Sequence, residues 1–247
     1  MKKTEFEELR AERIMVGKNA VALLFTGGKD SMNAIELMRN RGYDIACLVT
    51  ILSANEDSYM LHTSAIEITK LSSKALGLPL VIGHTEGEKE TELGDIASAI
   101  EGARNEFSFD TIASGGIASK YQRSRIDEIA KQLGLKAEAP LWGINQISYL
   151  QKLVSSHYKF ILTSVSAEGL DKSWLGREID QRSVQEIIRL SKKYGFNPAF
   201  EGGEAETLVL DCPLFERETL RILQSEVDWR GNYGRLLIRK AELVQKE

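Results

Sequence analysis

The sequence predicts an α/β fold built on a mostly parallel sheet, with a smaller mixed α/β region toward the carboxyl terminus. Three observations carry this reading: short apolar runs of the kind buried on both faces, segments of helical spacing between them, and glycine-bearing turns where strand passes to helix. The 247 residues suffice for one or two domains, and 43% hydrophobic residues are ample for a buried core.

Ala20 to Phe25 (AVALLF) is a strand that ends in Thr26-Gly27-Gly28, and Met32, Ile35, Leu37 and Met38 follow at helical spacing. Asp44 to Leu52 is the second strand, Thr63 to Leu76 a helix, and Leu78 to Gly83 a third strand with Pro79 at its start. An acidic run from Glu86 to Glu92 leads into a helix over about Thr91 to Phe107, and Asp110 to Ser114 is a fourth short strand entering Gly115-Gly116. A helix from Ser119 to Leu133 stops at Gly134. Parallel strands joined by right-handed crossovers put a ligand site beyond their carboxyl ends. Past a loose boundary near residues 134 to 140 the texture changes. Glu138 to Trp142 reads as a small strand, Gln146 to Ser156 as a helix, Tyr158 to Ser166 as a strand and Ile179 to Tyr194 as a helix. Thr207 to Leu210, Leu220 to Val227 and Arg235 to Ala241 are strands, the last able to pair antiparallel with its predecessor.

Thirty-two Lys plus Arg against 36 Asp plus Glu give a formal charge of -4, so bulk electrostatics recruits neither nucleic acid nor an anionic membrane. Cys47 and Cys212 lie in apolar runs without C-x-x-C spacing, and three scattered histidines form no metal-ligand pattern, which points to a reducing cytoplasm. The first 17 residues have no apolar h-region, and no run approaches the length of a membrane span.

Thr26-Gly27-Gly28-Lys29-Asp30-Ser31 is the sharpest local signal. Its glycines allow a tight turn and close approach of an anion, and the free amides of the following helix point at the same volume, so a phosphate fits there. The Walker A spacing fails, because Leu23 stands where its first glycine belongs and Asp30 follows Lys29. A capped strand-to-helix turn without ligand is the bland alternative.

Ser/Thr-Gly-Gly-x-Asp-Ser resembles the pyrophosphate-binding loop of the N-type ATP pyrophosphatases, the PP-loop superfamily, which have adenine-nucleotide alpha-hydrolase-like (HUP) folds. Gly115 to Arg125 (GGIASKYQRSR), Pro140-Leu141-Trp142, Trp174 to Asp180 (WLGREID) and Glu201 to Leu214 (EGGEAETLVLDCPL) narrow the resemblance to the diphthine-ammonia ligase family. The matching motifs run from about residue 20 to residue 215. The resemblance implies an ATP-pyrophosphatase nucleotide-binding domain over 1–136 and a substrate-side α/β region with antiparallel strands over 137–247. It implies ATP and Mg²⁺ as cofactors, ammonium as nitrogen source, and translation elongation factor 2 carrying diphthine as partner. Oligomeric state stays open, a homo-oligomer included.

By the same resemblance Thr26, Gly27, Gly28 and the amides through Ser31 cradle phosphates, Ser31 adds a hydroxyl donor, and Lys29 neutralises the leaving pyrophosphate. Two roles fit Asp30, holding Mg²⁺ or fixing the loop. Backbone around Thr50 to Ser53, with Ile51 at its centre, is where related folds recognise adenine. Gly115 and Gly116 repeat the open-backbone theme at the fourth strand, and Arg123 shares either a site-facing helical face with Lys120 or a solvated one. Glu204 and Glu206 would share a side in an extended chain. Such a pair orients ammonium, takes its proton or holds Mg²⁺, or else caps loops. His62 fits a helix cap as well as a catalytic group. Asp171, Trp174, Gly176, Arg177 and Asp180 suggest recognition on the substrate side. The alternatives are another adenylating amide ligase, a tRNA thiolase of the same fold, and a non-catalytic nucleotide sensor.

Overall fold

The computed structural model describes residues 19–53, 68–85 and 92–246. His62, the beginning of the helix expected from Thr63, most of the acidic run before Glu92 and the amino-terminal segment lie outside these residues.

Five parallel strands form the first sheet: β1 (Ala20–Leu24), β2 (Asp44–Ser53), β3 (Leu80–Thr85), β4 (Thr111–Ala113) and β5 (Lys136–Glu138), in the order β3-β2-β1-β4-β5. Between them run α1 (Lys29–Asn40), α2 (Thr69–Leu76), α3 (Glu92–Glu106) and α4 (Lys120–Leu133). The chain order reverses at β1, so the carboxyl ends of β1 and β4 flank a crevice, the usual ligand position in such sheets.

Strand β1 reads as unbroken hydrophobicity because both of its faces are covered. Val21 and Leu23 point into one core, Ala20, Ala22 and Leu24 into another, as a side-chain period of two requires. The second core is closed by Ile96 and Ile100 of α3 and by Ile126 and Ile129 of α4. The first is closed by Met32, Ile35 and Met38 of α1 together with Phe160, Leu162 and Leu208 from the second half of the chain.

That second half holds α5 (Gln146–Ser155), β6 (Lys159–Val165), α6 (Gln181–Tyr194), β7 (Ala205–Asp211), β8 (Glu218–Arg230) and β9 (Tyr233–Gln245). Its four strands form an antiparallel sheet in the order β7-β6-β9-β8.

Three expected boundaries are corrected. The strand expected over Glu138–Trp142 lies at Lys136–Glu138, because Trp142 turns back to donate to the Ala139 carbonyl (3.0 Å) across Pro140, which has no N–H for a ladder. The strand expected from Leu78 begins at Leu80, since the Leu78 amide caps α2 through the Ser73 carbonyl (3.1 Å). β8 and β9 are longer than their apolar runs, 13 residues each, because the paired ends are polar and only the ladder marks them.

Candidate active site

The phosphate-type loop lies between β1 and α1. Gly27 has φ +78°, a conformation that disfavours side chains, and Gly28 is the N-cap of α1 with no side chain to cap it. A Cβ on Gly28 would sit 3.1 Å from the Thr207 carbonyl oxygen and 3.2 Å from its hydroxyl, so the loop is pressed against β7. Thr207 Oγ1 accepts from the Lys29 amide (3.1 Å), and the Val209 amide donates to the Gly27 carbonyl (3.0 Å). Ser31 Oγ accepts from the Thr26 amide (3.3 Å) and donates to the Gly28 carbonyl (3.1 Å). Its hydroxyl therefore holds the turn, while the first amides of α1 supply the dipole end suited to an anion.

Lys29 is buried, 1% exposed. Its ammonium donates to Asp30 Oδ2 (2.7 Å) and to the Ala199 carbonyl (2.7 Å), and lies 5.6 Å from the centre of the Phe200 ring. The other Asp30 oxygen, Oδ1, accepts from the Tyr149 hydroxyl of α5 (2.8 Å). Burial, and then the Asp30 charge, push the Tyr149 phenol well above its ordinary range, so it stays a proton donor. Lys29 and Asp30 thus enter the site as one hydrogen-bonded unit oriented from the second half of the chain.

Across the crevice, the loop from β4 carries Gly115 and Gly116. A Cβ on Gly115 would lie 2.7 Å from the Asp30 carbonyl carbon and 2.7 Å from the Ser31 amide nitrogen, so this glycine serves contact between two backbones. The Gly116 position is open, with Ser114 Oγ its nearest neighbour at 3.9 Å. Ser119 caps α4 by accepting from the Gln122 amide (3.3 Å). Arg123 lines the crevice, 6.0 Å from the ring of Trp142 and paired with Asp127 at 3.0 Å, whereas Lys120 is exposed.

These pieces border two adjoining chambers that share lining residues. The first, about 860 Å³ with open solvent included, has apolar walls from Leu24, Ile51, Ile96 and Ile126, and Trp142 at 41% exposure on its border. The second, about 560 Å³, is bordered by Gly28, Lys29, Phe200, Glu206 and Thr207. Thr26, Asp30, Gln122 and Glu201 border both. Of the expected residues, Thr26, Gly28, Lys29, Asp30, Ser31, Ile51, Gly115, Gly116, Arg123 and Glu206 line one chamber or the other, and Gly27 shapes the turn beneath them.

Glu204 is turned elsewhere. It accepts from the amides of Asn197 (2.9 Å) and Gly202 (2.7 Å) and fixes its own loop. The motif around Asp171 to Asp180 is likewise occupied with local structure. Asp171 and Asp180 accept from the Ser173 and Ser183 amides (2.8 and 2.7 Å), Trp174 is buried, and Arg177 stacks on it at 4.4 Å.

Two contributors carry no strong mark in the sequence. Tyr149 is one apolar-face residue of an ordinary amphipathic helix. Glu201 begins the EGGEAE run, yet its role depends on the amides of Ile117 and Ala118, each 3.1 Å from one of its oxygens. Burial and then the Asp30 charge raise its carboxyl above the usual range.

Residues 17–137 match the N-terminal domain of the diphthamide synthase family, and residues 145–244 match its C-terminal domain. The chain is 34% identical over 220 residues to the diphthine–ammonia ligase of Bos taurus, spanning 81% of this chain and 82% of that protein. It is 33% identical over 222 residues to the Homo sapiens enzyme, with the same coverage of 81% and 82%. This chain belongs to the diphthine–ammonia ligase family. The Schizosaccharomyces pombe member is 30% identical over 210 residues, which are 78% of this chain and 34% of that longer protein.

Family membership places the phosphate-type loop among the PP-loop enzymes, and the parallel sheet with a second, antiparallel sheet in a smaller α/β region agrees with HUP architecture. Among the described residues, no group of three His, Cys, Asp or Glu side chains forms a metal cage, and no helix is long and apolar enough to cross a membrane. The cysteines take no part in the crevice. Burial and the Glu106 charge push the Cys47 thiol up to about 12, and burial pushes Cys212 up to about 11, so both stay protonated.

Proposed function

We propose that this family member amidates the diphthine carboxylate of translation elongation factor 2, using ATP and ammonium. The carrying observation is the two-chamber crevice, apolar at the Ile51 end and bounded by the phosphate-type loop and Lys29 at the other.

Adenosine occupies the apolar chamber, and the phosphates lie along the amides from Gly27 to Ser31. A diphthine carboxylate oxygen attacks the α phosphorus, forming an acyl-adenylate as the bond to the leaving pyrophosphate breaks. Ammonia then attacks the acyl carbon, AMP leaves with the carbon–oxygen bond electrons, and the nitrogen loses its surplus proton. Activation supplies a leaving group that a free carboxylate lacks.

Lys29 keeps its bonds to Asp30 and the Ala199 carbonyl, turns its third N–H to a phosphate oxygen and balances charge in the departing pyrophosphate, while Asp30 and Tyr149 hold its direction. Arg123, with its guanidinium beside Trp142, faces charge developing on the nucleotide from the opposite wall. Glu206, the carboxylate that borders the second chamber and not the first, is suited to an incoming ammonium and its proton. Asp30 is held by Lys29 and Tyr149, and among the described residues no group of three His, Cys, Asp or Glu side chains stands with it to cage Mg²⁺. In this reading the metal arrives on the ATP phosphates.

The test incubates the protein with Mg-ATP, ammonium and diphthine-bearing elongation factor 2, with the acceptor followed by mass spectrometry and the nucleotides by chromatography. The expected result is one amide formed per AMP and pyrophosphate released. AMP and pyrophosphate without amide would overturn the acceptor. A folded Gly28→Val variant is expected to release no pyrophosphate, and release at the wild-type rate would remove the loop from the mechanism.

A further inference from the structure

We propose that Glu201 is a positioning residue of the amidation reaction, clasping the loop ahead of α4 so that Arg123 and the phosphate-type loop face each other across the crevice. The inference rests on the ligase reading above. It adds a role for a residue that contacts the loop and not the reacting atoms.

Four observations converge on this side chain. Its oxygens accept separately from consecutive amides, Ile117 (3.1 Å) and Ala118 (3.1 Å), a contact spanning more than 80 residues of sequence between the two halves of the chain. The clasped amides lie just past Gly115, whose backbone is pressed on Asp30 and Ser31, and just before Ser119, the cap of the helix bearing Gln122 and Arg123. Glu201 borders both chambers, at the junction between the adenosine and phosphate ends. Its own segment is pinned from the other side, because Lys29 holds the Ala199 carbonyl (2.7 Å) and the intervening Phe200 has φ +67°, a conformation that non-glycine residues keep only when their surroundings impose it.

A carboxylate accepting two amides at once fixes a loop in distance and in orientation, since charge-assisted bonds are short and directional. The span matters as much as the charge. Aspartate keeps the charge one methylene short, and glutamine keeps the span but turns an NH₂ donor toward one of the two amides.

The experiment compares Glu201→Ala, Glu201→Asp and Glu201→Gln in the full chain by amide exchange at Ile117 and Ala118, by calorimetric Mg-ATP affinity, and by kcat and KM for amidation. Exchange at both amides is expected to accelerate at least tenfold in the Ala and Asp variants, and less in Gln. ATP affinity is expected to change by less than about threefold while kcat falls about 10- to 100-fold, the scale of a misplacement near 1 Å. Accelerated exchange with wild-type kcat would overturn the positioning role, as would a lost kcat with unaltered exchange. A wild-type protein that forms no amide would overturn the ligase reading instead, and exchange together with ATP affinity would still decide whether the clasp exists and spares the nucleotide.

Discussion

At the scale of single residues, the crevice is defined by contacts that tolerate almost no added volume. A Gly115→Ala methyl would meet backbone atoms of Asp30 and Ser31 at 2.7 Å, and neither can rotate away as a side chain would. We expect this variant to lose about 1–3 kcal/mol in denaturant titration and to bind ATP more weakly, as overpacking does when backbone must move. Tyr149→Phe removes one donor from Asp30 Oδ1 without altering shape. A hydrogen bond to a charged group contributes about 1.5–3 kcal/mol, so kcat should fall at least about tenfold in steady-state assays while far-ultraviolet circular dichroism stays unchanged. The glycines and the Lys-Asp-Ser series were legible because their chemistry is local. Tyr149 was not, because nothing in its helix distinguishes it until α5 is packed against α1.

At the scale of elements, several helices are started by side chains. Ser119 caps α4, Asn145 caps α5 and Asp180 caps α6, each accepting an amide of the first turn. The start of α1 is different, with Gly28 leaving its amides toward the crevice. Ser119→Ala should cost about 1 kcal/mol in urea titration and raise amide exchange over the first turn of α4, where Gln122 and Arg123 lie. Equal exchange in the two proteins would show that the Glu201 clasp, and not the cap, orders that turn. Strand and helix identities were readable from periodicity along most of the chain. The strand expected at Glu138–Trp142 was displaced because a hydrophobic run does not reveal that Pro140 and Trp142 make a turn, and the polar ends of the β8–β9 hairpin were missed because only pairing marks them.

At the scale of the whole molecule, the parallel and antiparallel sheets share one core. Phe160 of β6 is completely buried among residues of both, including Val21 and Leu23. Phe160→Ala should cost about 3–5 kcal/mol, and scanning calorimetry should show a single transition moved to lower temperature rather than a second one split off. The buried cysteines make stability fall with rising alkaline pH. Burial pushes their thiols up to about 12 and about 11, so above about pH 8.5 the folded state binds more protons than the unfolded state. Their contribution is full below that pH and is lost as pH climbs toward the folded values. Urea midpoints measured at about pH 8 and about pH 10.5 should therefore fall with pH, and should fall less in a Cys47→Ala variant.

The amino-acid sequence by itself determined the alternation of strand and helix, the phosphate-type turn at Thr26 to Ser31 and the motifs that mark the family. Each of these depends on short-range stereochemistry: a side-chain period of two or 3.6, or the conformational freedom of adjacent glycines. Tertiary structure alone decided how the motifs combine. It turned Glu204 into a loop brace, left Glu206 at the crevice, and brought Glu201 to the amides of Ile117 and Ala118. Those outcomes depend on where the second half of the chain lands on the first sheet, a matter of buried surface between residues far apart in sequence, which no local pattern encodes.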